Sequence, residues 1–418
     1  MSTLLQPRGG ALLDEGREVE PMATVPPGSV APTPRRLDHI DALRVIACLS
    51  VLLIHVITET MSPDGQRVNA VTQVLHYGRN VFFFVSAFVL TYVFLQRHRP
   101  DLRSGRDGAP FDATKFRARR LRLIGVPYLL WTVAYLLYQN TNNPEVLSRK
   151  QAPLQIVADL ATGQGYFHLY FLLVTLQFGM VFPAFIWLLD STRGYHVWLF
   201  VGSLTLQLAI VAYYEHVGTM PGDGYQAVYG EASLLAYQLW FVAGGLAAVH
   251  YRRFHDWIMR NTAAIAAIAV AAVGLGQLVY WYRVGHGESP FQASYTLQPV
   301  TMIWSLVAVA LLYRIAVALM STRFEWLSTA IRRISVLSFA IYLVHPAILY
   351  IQTFYGASDW SLGPGMQLLY TGAMVPAVAL AAIAVGAVLH RTPWSLALIG
   401  RPRKCRSGPH GDPMTATP

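Results

Sequence analysis

The chain has 418 residues, of which 54% are hydrophobic and 13% charged, with a mean hydropathy of +0.39. Soluble domains carry about a quarter charged residues, so this one has too little polar surface to clothe a globule and reads as a polytopic membrane protein. The net charge of +10 is spread along the chain rather than gathered on one soluble module, which argues against a nucleic-acid partner.

Residues 1–34 are rich in Pro, Gly and Ala, lack the apolar core of a signal peptide, and read as a disordered cytoplasmic arm. From 35 to 392 the chain alternates apolar runs with short polar connections. A bilayer core of about 30 Å needs roughly 20 mainly apolar residues per helix. Ten segments qualify: approximately 39–57, 77–96, 121–139, 167–189, 195–214, 231–250, 262–282, 297–319, 335–355 and 366–390. The expected fold is all-α, a bundle of about ten transmembrane helices. Residues 393–418 read as a basic, disordered cytoplasmic tail. The two cysteines, Cys48 in the first apolar run and Cys405 in that tail, provide neither a disulfide framework nor metal-ligand spacing.

With the N-terminus inside, 26 of the 32 Lys and Arg residues fall on one side of the membrane. Only Arg67, Arg149, Lys150 and Arg283 fall on the other, while Arg44 and Arg79 sit within or at the edge of spans. The positive-inside rule then places both termini in the cytoplasm. The expected location is the plasma membrane.

The first apolar run, LDHIDALRVIACLSVLLIHV (Leu37 to Val56), contains Arg44 and His55. A charged arginine at the bilayer centre costs about 2.5–3.5 kcal/mol on insertion scales and usually faces the bundle interior. Eleven positions make three helical turns plus about 20°, so Arg44 and His55 share a face roughly 16 Å apart. Asp41, one turn below, is the natural partner for Arg44. A structural explanation exists: Asp41 neutralises a snorkelling Arg44 and His55 finds a polar neighbour. Other residues weaken it. Arg117, Arg119, Arg120 and Arg122 crowd the entry of the third span, where they serve either as an orientation signal or as an anion clamp, since guanidinium groups recognise phosphate bidentately. His168 opens the fourth span in GYFHLYFLL, and His345 lies within the ninth in SFAIYLVHP.

These motifs, in this order, resemble the acyltransferase-3 family of integral-membrane O-acyltransferases. LRVIACLSVLLIH matches its arginine, ten residues, histidine pattern with Arg44 and His55. Arg117 with Arg120, and Arg119 with Arg122, match its R-x-x-R element. FFFVSAFVL is similar to the family's second helix, with Ala87 in place of glycine, and HLYFLL to its fourth, with Tyr170 in place of tryptophan. LSFAIYLVHP resembles the ninth. The resemblance implies an acyl-CoA donor on the cytoplasmic side, a hydroxyl-bearing glycan or small-molecule acceptor beyond it, and no permanently bound cofactor. His55 would be the general base, because a near-neutral imidazole suits proton transfer at physiological pH. His168 would orient His55 or bind acceptor, and Arg44 with the arginine group at 117–122 would hold the donor's phosphates. The competing reading is a proton-coupled transporter or flippase, with Asp41, Arg44 and His55 as a proton relay. Against it, the two halves of the chain lack corresponding Gly/Pro-broken half-helices.

Overall fold

The computed structural model describes residues 36–98, 110–142, 152–217, 232–352 and 363–403. The arm at 1–34 and the end of the tail, 404–418, lie outside the described residues. The described chain is helical from end to end, with no strand among the described residues.

Helix α1 (Asp38–Thr60) carries two acidic residues in its first turn, Asp38 and Asp41, where they complement the helix dipole. A short α2 (Gln66–Leu75) at the far end leads into α3 (Tyr77–His98), which returns to the end where α1 began. Asp112 caps α4 (Ala113–Arg120) by accepting from the N–H groups of Thr114 and Lys115. One π-turn, Leu121–Gly125, then joins α4 to α5 (Val126–Asn142). The chain continues through α6 (Ala152–Thr162), α7 (Tyr170–Ser191), α8 (His196–Val217) and α9 (Gln238–Val249). Next come α10 (Tyr251–Arg260), α11 (Thr262–Gly285), the single turn α12 (Pro290–Ala293) and α13 (Pro299–Met320). The last elements are α14 (Glu325–Gln352), α15 (Pro364–Leu389) and a short α16 (Ser395–Ile399). Residues 395–403 are thus folded, a correction to the tail expected to be disordered from 393.

Nine helices among the described residues are long and apolar enough to cross a membrane, and a bent pair makes up to ten. The pair is the expected span at 231–250. It is realised as a 3₁₀ turn, Leu234–Tyr237, and α9, followed by a bend of 96° into α10. α9 is buried on nearly every face, from Leu239 and Trp240 to Ala247 and Ala248, as expected of a helix enclosed by others. It packs closely on α3 because Gly244 lies against the carbonyl of Phe84, where a Cβ has no room. α10 is amphipathic, with Ile258 buried and Arg252, Arg253, Asp256 and Arg260 exposed. That is the composition of a helix lying in the membrane interface.

Around this centre, peripheral helices expose apolar side chains: Trp198 on α8, Val270 and Leu278 on α11, Leu368 and Leu380 on α15. Such a belt suits lipid, not water. Inside, polar pairs bridge helices: Asn80 Nδ2 donates to Ser305 Oγ at 3.0 Å, and the hydroxyls of Thr60 and Thr371 meet at 2.8 Å. α1 and α14 run parallel through the core, with Asp41 beside Ser335, Cys48 beside Ser338 and His55 beside His345. Most basic residues gather where α1 begins, here the basic end. His55, His168 and His345 lie toward the far end.

Candidate active site

Near the far end of α1, His55 meets His345 of α14. His55 Nδ1 and His345 Nε2 are 2.7 Å apart, and the two rings are parallel within 3° with centroids 5.0 Å apart. That separation is about the bond length plus a ring radius at either end, so the rings are coplanar and the hydrogen bond lies along both lone-pair axes. Proton placement follows from the next partner. His345 Nδ1 lies 3.2 Å from the carbonyl oxygen of Ile341, which can only accept. With both rings neutral, His345 carries its proton on Nδ1 and accepts at Nε2. His55 must then donate from Nδ1, leaving a bare lone pair on its Nε2.

Local sequence explains the position of His345. Pro346, which follows it inside α14, has no N–H, so the Tyr342 carbonyl lacks its usual i+4 donor. Tyr135 of α5 donates its hydroxyl to the adjacent Leu343 carbonyl at 2.7 Å, bracing the site.

His168 arrives on the turn that precedes α7. Gln139 Nε2 holds this turn by donating to the Gly165 carbonyl at 2.8 Å, and Tyr342 donates its hydroxyl to the His168 carbonyl at 2.6 Å. The His168 ring is 1% exposed and lies edge-on to His345, centroids 5.7 Å apart. Neither of its ring nitrogens has a hydrogen-bond partner among the described residues. A buried polar ring left unbonded costs free energy unless a ligand satisfies it.

His55 and His168 open onto one cavity of about 240 Å³. Aromatic side chains form much of its wall, among them Phe82, Phe167, Phe171 and Tyr342, and its polar groups include His76, Arg79, Ser294 and Thr296. Arg79 is positioned by Tyr170, whose hydroxyl accepts from Nη1 at 2.7 Å, and by Thr296, whose Oγ1 accepts from Nη2 at 2.9 Å.

At the basic end, Arg44 Nη1 lies 3.6 Å from Asp41 Oδ1, as the one-turn spacing requires. Asp41 also accepts from Arg36 Nε at 2.5 Å and from Ser335 Oγ at 2.7 Å. The arginine group at 117–122 is dispersed around its helix. Arg117, Arg119 and Arg122 are exposed, and Arg117 Nε donates to the Met180 carbonyl at 3.0 Å. Only Arg120 turns inward, its guanidinium 5.0 Å from the Phe116 ring centroid and its buried Nε without a partner among the described residues. No hydrogen bond or ion pair among the described residues joins any of the four to Arg44. The structure therefore brings His55 and His168 together, keeps Arg44 apart at the opposite end, and scatters the R-x-x-R side chains.

Sequence reasoning noticed His345 but assigned it no role, and it passed over Arg79, His76 and Thr296. The usable signal for His345 was a His-Pro pair inside an apolar span. None existed for Thr296, which comes from a connection between spans.

A many-helix apolar bundle with buried ionisable groups at two levels defines a multi-pass membrane protein. Its sequence from residue 37 to 387 matches the profile of an acyltransferase domain, and the chain belongs to the acyltransferase-3 family, so it is a membrane acyltransferase. No curated protein and no solved structure matches it.

Proposed function

We propose that the protein transfers an acyl group from acyl-CoA to a hydroxyl of a glycan or similar acceptor, with the basic end in the cytoplasm and the acceptor entering at the far end. The observation that carries this reading is the His345–His55 hydrogen bond, which leaves His55 Nε2 able to accept a proton beside the cavity. The acceptor hydroxyl binds in that cavity, its sugar face against the aromatic wall. His55 Nε2 takes the hydroxyl proton as the oxygen attacks the thioester carbonyl. The oxyanion that forms receives an N–H from His168, whose ring has no competing partner. Collapse breaks the C–S bond, and the imidazolium of His55 returns the proton to the departing thiolate. The products are the ester and free CoA. At the basic end, arginines hold the donor's phosphates, and the pantetheine arm spans the roughly 16 Å up α1.

The test is acyl transfer by purified protein in nanodiscs, with acetyl-CoA or succinyl-CoA as donor. His55→Gln keeps a hydrogen-bonding side chain and should lose about 10²–10⁴ in rate while still binding CoA. Wild-type turnover in a folded His55→Gln protein would remove His55 from the mechanism.

A further inference from the structure

Arg79 lines the cavity onto which His55 and His168 open, and the transfer of protons described above does not use it. Its backbone is fixed on both sides. Gly78 lets α3 approach α1, since a Cβ there would lie 3.2 Å from Ser50 and Val51, and Asn80 is tied to Ser305 of α13. Neutral groups then hold the guanidinium. Its carbon lies 4.8 Å from the ring centroid of Tyr237 and 5.7 Å from that of Tyr170. The Tyr170 hydroxyl accepts from Nη1 and Thr296 Oγ1 accepts from Nη2. Thr296 belongs to the connection between α12 and α13, which α2 ties to the far end through the bond from Ser294 Oγ to Asn69 Oδ1 at 3.2 Å. No aspartate or glutamate lines the cavity among the described residues.

A cation inside a membrane bundle is costly and marks a functional site by default. Two features say what this one serves. Each hydroxyl that accepts from the guanidinium has its own hydrogen to donate, so Arg79, Tyr170 and Thr296 combine positive charge with donors. A carboxylate is their complement, being planar, acceptor-only and matched to a guanidinium fork. The second feature is Tyr170 itself, which stands where the family resemblance expects tryptophan. An indole N–H can only donate, so tryptophan could not accept from Arg79. The tyrosine and the arginine thus form a pair fitted to the substrate of this chain.

We propose that Arg79, with Tyr170 and Thr296, is a carboxylate subsite of the transfer cavity, so that one of the two substrates is an acid. The carboxylate belongs either to a uronic acid in the acceptor or to a dicarboxylic acyl group, such as succinyl, on the donor. The names of acceptor and donor rest on the function proposed above; the subsite does not.

The experiment is calorimetric titration of the whole chain in phosphatidylcholine nanodiscs with two pairs of probes, each an acid and its neutral counterpart. Methyl glucuronide against methyl glucoside reads the acceptor, and succinyl-CoA against butyryl-CoA reads the acyl group. In one pair the wild-type protein should bind the acid about tenfold to a hundredfold more tightly, the gain expected of a charge-assisted contact. The pair that shows the preference identifies the source of the carboxylate. Arg79→Gln should bring that ratio to within about twofold of unity; a ratio within one protein cancels any general loss of affinity. A purely structural brace predicts instead a lower Tm with the preference intact, and that result overturns the inference. Should Arg79→Gln not fold, Tyr170→Phe keeps the ring, removes the hydroxyl and should lower the ratio about threefold or more; an unchanged ratio there overturns the inference too. A wild-type protein that favours the acid in neither pair also overturns it, and if both acyl-CoAs still bind, the acyl-CoA reading stands. Arg79-dependent preference for the glucuronide with no binding of either acyl-CoA upholds the subsite and overturns the donor. Failure to bind any of the four probes overturns both.

Discussion

Replacing His345 by alanine tests the hydrogen-bond chain that sets the protonation of His55. In the wild-type protein His55 Nδ1 donates to His345 Nε2 at 2.7 Å, which forces the lone pair onto Nε2. Without His345, Nδ1 loses its acceptor and the proton is free to move to Nε2, the nitrogen that must accept one during catalysis. A wrong tautomer costs about 10⁴ in the serine-protease triad, and general bases contribute about 10²–10⁴. Turnover should therefore fall by about 10²–10⁴. The affinity for CoA should hold, because the arginines lie roughly 16 Å away along α1. His345→Gln should recover part of the rate, since its amide oxygen can accept from Nδ1–H. Truncating a buried side chain to alanine also costs about 2–4 kcal/mol of stability, so thermal unfolding is measured alongside. The assay is kcat and KM for acyl transfer in nanodiscs, with binding titrations for each variant. A folded alanine variant at the wild-type rate, or a glutamine variant slower than alanine, would refute the tautomer argument.

Four further outcomes are expected. Arg44→Gln should weaken CoA binding by about tenfold or more and also lower stability, because Asp41 loses one of its partners; titration and unfolding read the two effects separately. The double change Arg117→Lys, Arg119→Lys should leave CoA affinity within about twofold, since both side chains are exposed, and a larger loss would return the donor to that helix. Gly244→Ala should destabilise the bundle by about 1–3 kcal/mol through its collision with the Phe84 carbonyl, seen as a lower Tm with unchanged CoA affinity in the surviving folded fraction. A cysteine placed at Lys115 should resist an impermeant thiol reagent in intact cells and react after lysis; labelling from outside would invert the orientation.

The bundle was legible because a membrane helix announces itself by length and hydropathy alone. The bend after Val249 was not, because Tyr251–Arg260 carries four charged residues and continues an apolar run only in sequence. Helical spacing correctly put Asp41, Arg44 and His55 on one face. His168 and His345 could be suspected singly, but their approach to His55 depends on how α7 and α14 pack beside α1, which no local pattern encodes. Thr296 was invisible for the same reason.

The R-x-x-R element shows where spacing misleads. In an unbroken α-helix Arg119 and Arg122 would share a face, as residues three apart do. Here the Val126 N–H closes on the Leu121 carbonyl, an i→i−5 bond, and the π-turn it completes inserts extra chain immediately after Arg120. Arg119 and Arg122 are both exposed, while Arg120, at the end of the regular helix before the π-turn, turns inward beside Phe116. The same π-turn presents the Leu123 carbonyl on which Gly400 seats. One irregular turn thus provides the footing on which the segment after Trp394 seats. Straightening that turn, by deleting one residue between Leu121 and Gly125, should undock α16. The readout is protease cleavage between Trp394 and Arg403, expected in the deletion variant and not in the wild-type protein; an intact segment in the deletion variant would show that α16 holds without the π-turn.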